Sequence, residues 1–408
     1  VTPERIRHGT PEFRRTNLAL FAAGMATFAL IYSVQPLMPL FSRTFHVAPA
    51  TSALSLSVTT LPLAFAMLAA SVVADRFGRR AVMVVSLLAS AALGLLCAAA
   101  PGFAALLALR CLMGFTLAGL PAVAIAYVAE EMAPNAVGLA MGLYIGGSAI
   151  GGMTGRLLSA LLAQELGWRT ALFGIGALGL VCGMLLWRYL PPSRHAHPAR
   201  RSLTEAAAIS RALLRDPVLL LLFAEGFVLM GAFVTVYNYT GYRLLGPPFS
   251  LTQGEVGLIF CVYLVGVASS IAMGHLALRA GRRLVIGGNL ALMLAGALLT
   301  LSASLAMVIA GIAVLTAGFF GAHSVASAWV GLRATTGRAQ ASALYLFFYY
   351  AGSSVVGAAA GLLWRAGAWP EIIAVVAILL AGAIAAAAQL PRSAQEKPGA
   401  RPLDPATL

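Results

Sequence analysis

Charge is what this chain most lacks. Of its 408 residues only 10% are Asp, Glu, Lys or Arg, against 60% that are apolar. A soluble domain cannot cover its surface with so few charges, so its long apolar runs read as membrane spans. Lysine is almost missing. Lys397 is the one lysine, and the other 26 basic residues are arginine. The net charge of +14 comes from cations in the loops between apolar runs, which excludes nucleic acid as the partner. Cysteine is scarce too. Cys97, Cys111, Cys182 and Cys261 all lie inside apolar runs, as small packed hydrophobes rather than a disulfide framework or metal site. No Gly-x4-Gly-Lys-Ser/Thr loop and no separate soluble domain occur, so ATP drive is not indicated. There is no nucleophile–base cluster and no metal-ligand spacing, and four of the six histidines (His8, His46, His195, His197) fall outside the apolar runs. The expectation is a protein that is not an enzyme and needs neither cofactor nor metal.

What remains is apolar sequence in helix-length pieces. Twelve candidate spans fall at 17–41, 52–74, 81–100, 103–129, 137–163, 169–190, 217–243, 254–278, 282–303, 305–331, 338–363 and 369–390. Most have the roughly 20 residues that a helix needs to cross the hydrocarbon. Arg5, Arg7, Arg14 and Arg15 precede a first run too long for a signal-peptide core, so it reads as the first span. With the N-terminus inside, 21 of the 27 basic residues fall in cytoplasmic segments, while Arg43, Arg169, Arg243 and Arg365 fall outside. The asymmetry predicts both termini in the cytoplasm. The longest polar stretch, 191–216, divides the chain. The expected parts are a tail at 1–16, a six-helix bundle at 17–190, a linker at 191–216, a second bundle at 217–390 and a tail at 391–408.

The two bundles align on each other. Phe28-x-x-x-Tyr32 matches Phe233-x-x-x-Tyr237, and Gly78-Arg79-Arg80 matches Gly281-Arg282-Arg283. Gly114-Phe115-x-x-Ala118 matches Gly318-Phe319-x-x-Ala322. Tyr144-x-x-Gly147-Ser148-x-x-x-Gly152 matches Tyr349-x-x-Gly352-Ser353-x-x-x-Gly357. Four matches in order, all at offsets of 203–205, imply an all-α integral membrane protein of twelve helices in two six-helix pseudo-repeats. Parallel repeats of this kind are an arrangement of secondary transporters with a site near the midplane.

At the loop after the second span stands Asp75-Arg76-Phe77-Gly78-Arg79-Arg80. Asp75, Arg76, Gly78, Arg79 and Arg80 resemble the signature of the major facilitator superfamily, with Ser71 in place of its Gly. The second copy, Gly274 and Arg279 to Arg283, has Leu278 in place of the acid. Arg110-x-x-x-Gly114 resembles a span-four motif of proton-coupled members. Gly142, Gly146, Gly147, Gly151, Gly152 and Gly155 resemble the Gly-rich fifth span of drug–proton antiporters, with Ser148 where their Pro is expected. The resemblance covers essentially the whole chain. It implies the major facilitator fold and a bacterial exporter-type branch, hence a monomer in the inner (cytoplasmic) membrane, its partners being lipid, protons and a small-molecule substrate.

Candidate residues follow from burial cost and from the repeats. A cytoplasmic gate is expected from Asp75, Arg76, Gly78, Arg79 and Arg80, with Arg79 or Arg80 pairing Glu130 or Glu131. The alternative is that these cations only anchor the loop at the inner face. The six span-five glycines read as a helix-packing surface. Glu225 is the acid that lies well inside a span, and a carboxyl there can take up and release a proton. His323 lies at similar depth and could meet it. Arg110 completes the proton-coupling set, as a coupling or substrate residue, while Arg156 reads as structural. Both arginines could be satisfied by backbone carbonyls or by Gln35. Tyr32, Gln35, Tyr237, Asn238 and Tyr239 are candidates for substrate binding, on matching helices of the two bundles. The expected function is proton-coupled efflux of a drug, metabolite or siderophore. A proton-coupled importer of a sugar or organic acid, and a membrane sensor or enzyme, are the alternatives.

Overall fold

A computed structural model describes residues 5–195, 203–335, 337–364 and 369–392. Arg365, Lys397, most of the expected C-terminal tail, the start of the N-terminal tail and the middle of the linker lie outside the described residues. Within them the chain is helical, apart from one isolated bridge between Ile6 and Met132. Ten helices are long and apolar enough to cross a membrane. The chain is an all-α, multi-pass membrane protein.

The elements run α1 (Pro11–Tyr32), α2 (Met38–Phe45), α3 (Pro49–Phe77), α4 (Arg79–Ala98), α5 (Phe103–Leu117), α6 (Pro121–Glu131) and α7 (Pro134–Tyr189). Next come α8 (Leu203–Leu213), α9 (Pro217–Leu245), α10 (Gln253–Ile259), α11 (Tyr263–Ala280), α12 (Arg282–Leu299), α13 (Leu305–Arg333), α14 (Arg338–Ala359) and α15 (Trp369–Ala387). Proline opens several of them, where its missing N–H costs nothing. Thr10 caps α1 by accepting from Phe13 N, and Asp216 caps α9 by accepting from Val218 N and Leu219 N.

The fifth and sixth spans, both within α7, are two helices that meet at a kink at Gly167, where φ is +82° and ψ 167°, outside the helical region. Two departures from the expected spans stand out. The first span breaks after Tyr32. Pro36 has no N–H to continue the ladder, so Gln35 N bonds Tyr32 O and the chain turns before resuming as α2. Glu12, Arg14 and Arg15 also sit in the first turns of α1, which shortens its apolar part. Finally, α8 is a short helix inside a stretch that read as polar linker.

The two charged turns are built alike. Gly78 has φ +86° and ψ 137°, and Gly281 has φ +86° and ψ 142°, a conformation that L side chains rarely adopt. The second arginine after each glycine caps a distant helix end. Arg80 Nε donates to Leu190 O at 2.6 Å, and Arg283 Nη1 donates to Leu390 O at 3.2 Å.

Small residues set the closest helix contacts. A Cβ added at Gly147, Gly151 or Gly155 of α7 would meet the α1 backbone at Phe21, Met25 and Ala29. Gly352 of α14 meets Phe227 of α9 in the same way. The packing surface therefore falls on every fourth residue from 147. Gly142 and Gly146 face open space, because a residue one position off points about 100° around the helix. Gly152 faces the buried Arg156 and Tyr263.

Burial is uneven along the bundle. We call the side that carries Asp75–Arg80 and the N-terminus the basic side, and the opposite one the far side. Residues 29–39, from the end of α1 through the turn into α2, are all buried towards the far side, and so are residues 229–241 of α9. Nearer the basic side both helices alternate buried with exposed positions. Bonds between the two halves of the sequence cluster accordingly. Ser42 Oγ lies 2.7 Å from Tyr242 Oη, Gly254 N donates to Gln164 Oε1 at 2.8 Å, and Gln253 Nε2 donates to Pro36 O. The far side is closed by packing between the first and second halves of the chain.

Gly151→Val should lower stability by about 1–3 kcal/mol, the usual cost of overpacking. Gly146→Val should be near neutral for packing. Thermal melting of the purified protein in detergent distinguishes the two.

Candidate functional site

Three polar side chains occupy the closed interface. Gln35, from the turn after α1, is 1% exposed, and Asn238 of α9 and Arg156 of α7 are both fully buried. Arg156 Nε donates to Gln35 Oε1 at 2.5 Å, and Gln35 Nε2 donates to Asn238 Oδ1 at 2.7 Å. One chain of bonds thus runs from the first half of the sequence into the second. Arg156 Nη1 donates to Gly152 O at 2.6 Å. The guanidinium lies over the rings of Tyr32 (4.1 Å), Tyr263 (4.6 Å), Tyr237 (5.4 Å) and Phe260 (5.8 Å). Such faces attract a cation, most strongly where water is excluded. Arg156 Nη2 and Asn238 Nδ2 have no hydrogen-bond partner.

Of the residues expected to bind substrate, Tyr32, Gln35, Tyr237 and Asn238 meet here. Tyr237 Oη lies 2.7 Å from Thr316 Oγ1. Tyr239 points elsewhere, donating to Gly357 O at 3.0 Å and stacking on Trp364.

Arg110 is also buried but fully engaged. Its Nη1 donates to Leu30 O and its Nη2 to Ile31 O, both at 2.7 Å, and its Nε donates to Ser55 O at 2.9 Å. It caps α1 where that helix breaks. The two inner arginines therefore take opposite parts: Arg110 is satisfied by backbone carbonyls, while Arg156 bonds Gln35 and keeps a free donor.

Glu225 lies in α9, 1% exposed, with neither carboxyl oxygen hydrogen-bonded. His323 of α13 does not bond it directly. Tyr345 of α14 stands between them. Its ring packs on Gly226, it lies within electrostatic reach of Glu225, and its hydroxyl is 3.0 Å from His323 Nδ1. The ring of His323 is 4.8 Å from that of Tyr349, which is within electrostatic reach of Tyr32 and Tyr263. Aromatic groups thus connect Glu225 to the Arg156 cluster, about 20 Å away along α9 at 1.5 Å per residue. Sequence reasoning missed Tyr345, Tyr263 and Phe260, which looked like ordinary aromatics of an apolar span. The pairing of Tyr349 with Tyr144 in the repeats was a usable signal for that face of α14.

On the basic side Arg79 makes a two-pronged bond to Glu130, Nε to Oε2 at 2.6 Å and Nη2 to Oε1 at 2.5 Å. Asp75 faces Arg79 at 3.7 Å. Arg76 lies over the ring of Phe77. Glu131 accepts from Arg194 N and His195 N, both at 2.8 Å, which fastens the start of the linker to α6. These partners of the loop all belong to the first half of the chain.

Buried polar groups between two packed sets of membrane helices, with one side closed, are the features of a membrane carrier. The Major Facilitator Superfamily matches residues 18–252. An uncharacterized MFS-type transporter, YybF of Bacillus subtilis (strain 168), is 46% identical over 398 residues, covering 96% of this chain and 98% of the relative. The inner membrane transport protein YnfM of Escherichia coli (strain K12) is 44% identical over 387 residues, covering 95% and 93%. Among solved structures, a mutant of the nucleoside transporter NupG superposes with a TM-score of 0.77 at 16% identity, covering 92% of this chain and 99% of that one. The chain belongs to the Major Facilitator Superfamily. It is a secondary transporter of that type, not an enzyme.

Arg110→Met would leave Ile31 O without its partner and Leu30 O with only the Ser33 hydroxyl. The expected loss is about 1–3 kcal/mol, from the cost of an unmet buried acceptor. It should appear as a lower melting temperature of the purified protein.

Proposed function

We propose that the chain is a proton-coupled exporter of a small organic molecule, working by alternating access in a bacterial inner membrane. Twelve spans carry it: the ten helices of membrane length, with α7 counted as two, and α1 with α2 as the first. They form two six-helix units, 17–190 and 217–390, joined by a cytoplasmic linker at 191–216. The matched geometry of Gly78 and Gly281 and the parallel capping by Arg80 and Arg283 support the repeat. The arginine asymmetry makes the basic side cytoplasmic, with both termini there. Location in the inner membrane follows the Escherichia coli relative, an inner membrane transport protein. The exporter branch rests on the Gly-rich fifth span.

One observation carries the coupling: Glu225 is buried in α9 with no hydrogen-bond partner for either oxygen. An ionised carboxylate left so would be costly, whereas a protonated one is tolerated. Glu225 is therefore the proton carrier, and Tyr345 with His323 lies between it and the central cluster. A proton taken up while the far side is open would favour its closure, and its release to the cytoplasm through the open basic side would precede opening outwards.

The gate works in the opposite state. With the far side closed, Arg79 rests on Glu130 and Asp75 within the first unit. In the outward-open state the loop would close against the second unit, and Asp75 would orient Arg79 for it.

Two measurements test this. In proteoliposomes under an imposed pH gradient, screened with a panel of small organic compounds, Glu225→Gln should cut gradient-driven flux at least tenfold. Unchanged flux would remove Glu225 from the coupling. Asp75→Asn should raise far-side closure, read as slower labelling of cysteines placed on the far side. Labelling and transport equal to the parent would reduce the loop to an anchor.

A further inference from the structure

We infer that Arg156 is the anion-binding residue of the central site, and that the substrate carries a carboxylate on a flat, aromatic body. The inference rests on the transport reading above and names the substrate class for it. Three observations carry it. First, Arg156 is a fully buried cation with no ion pair among the described residues; its polar partners are the Gln35 amide oxygen and Gly152 O, with the Tyr263 hydroxyl close by. A buried charge without a counter-charge is strongly disfavoured, and an anionic ligand supplies one.

Second, the free donor is on the right edge. The Nε–Nη2 edge of a guanidinium is a fork that matches both oxygens of a carboxylate. This chain uses that edge elsewhere, where Arg79 holds Glu130 by Nε and Nη2. On Arg156 the same edge holds a neutral amide oxygen at Nε and nothing at Nη2. A carboxylate entering there would displace Gln35 from Nε and take both positions. Asn238 Nδ2 is a second unmet donor nearby. Unmet donors in a buried site fit an acceptor-rich ligand rather than a cation.

Third, the walls are aromatic. Tyr32 and Tyr263 lie closest to the guanidinium, and Tyr349, Phe319 and His323 continue the aromatic surface towards Glu225. Rings of this kind take a flat ligand body by stacking. Displacing Gln35 would also break its bond to Asn238, which joins the two halves of the chain. Binding and loosening of the interface are thus the same event.

The test uses the full chain in lipid nanodiscs and matched pairs: benzoate with benzamide, salicylate with salicylamide, and benzylamine as the cation. Binding is read by ligand-induced thermal stabilisation and by titration calorimetry. Carboxylates should bind at least tenfold more tightly than their amides, and benzylamine should not bind. Arg156→Gln should abolish the preference, and Arg156→Lys should keep part of it. Gln35→Glu is the second variant. It places a carboxylate of the protein itself on the fork, so it should lose carboxylate binding at least tenfold while keeping the parent's melting temperature or raising it. Equal binding of amides, no binding of any carboxylate, or an unchanged preference in Arg156→Gln would each overturn the inference. Proteoliposome flux separates it from the transport reading. A carboxylate that binds at Arg156 but does not move in a pH gradient counts against coupling and leaves the anion site standing. Gradient-driven flux of a neutral or cationic compound, unchanged in Arg156→Gln, does the reverse.

Discussion

The closed interface depends on one buried cation. Among the described residues no acid neutralises Arg156, and its charge is held by a glycine carbonyl, a glutamine oxygen and a ring of aromatic faces. Gln35 passes the bond on to Asn238 and so joins α7 and the turn after α1 to α9. Everything around the cluster serves to keep it dry. The far-side segments of α1 and α9 are buried without interruption, and Tyr242, Gln253 and Gln164 close the interface beyond them. A guanidinium in such surroundings is tolerable only while each of these partners stays in place.

The surrounding helices are arranged to permit that geometry. Pro36 breaks the first span, and the break turns Gln35 inward to a position that a continuous helix would not give it. Arg110 makes the break affordable by covering the carbonyls that it exposes. The glycines at 147, 151 and 155 bring α7 against α1, so that Arg156, one residue beyond the last of them, reaches Gln35. Gly152 leaves room beside the guanidinium for its bond to the backbone. The packing motif and the polar site are two faces of the same helix.

Much of this was legible in the sequence. Membrane-length runs and the charged turn come from patterns that depend on composition and spacing, and the all-α membrane fold and the family membership agree with them. Glu225, Gln35 and Asn238 stood out because a polar side chain inside an apolar span is expensive. The parts of Arg110 and Arg156 were not separable. Both are single arginines in apolar runs, and which one caps a backbone and which keeps a free donor depends on the turn at 33–37. Gly142 and Gly146 looked as suited to close packing as Gly151, since spacing alone does not say which face of α7 meets α1. Tyr345 was hidden for a similar reason: an aromatic in a span is ordinary until its neighbours are known.

Alternation between a closed far side and a closed basic side is the central claim, with the Arg156 cluster as the pivot. It is tested most directly by spin-label distances in lipid nanodiscs. One label pair belongs on the far side, at Glu165 and Ala303, and the other on the basic side, at Phe77 and Arg279, all exposed positions. Lowering or raising the pH, and then replacing Gln35 with Ala, should shorten one distance as it lengthens the other. Distances that change in the same direction, or that stay fixed under both treatments, would contradict it.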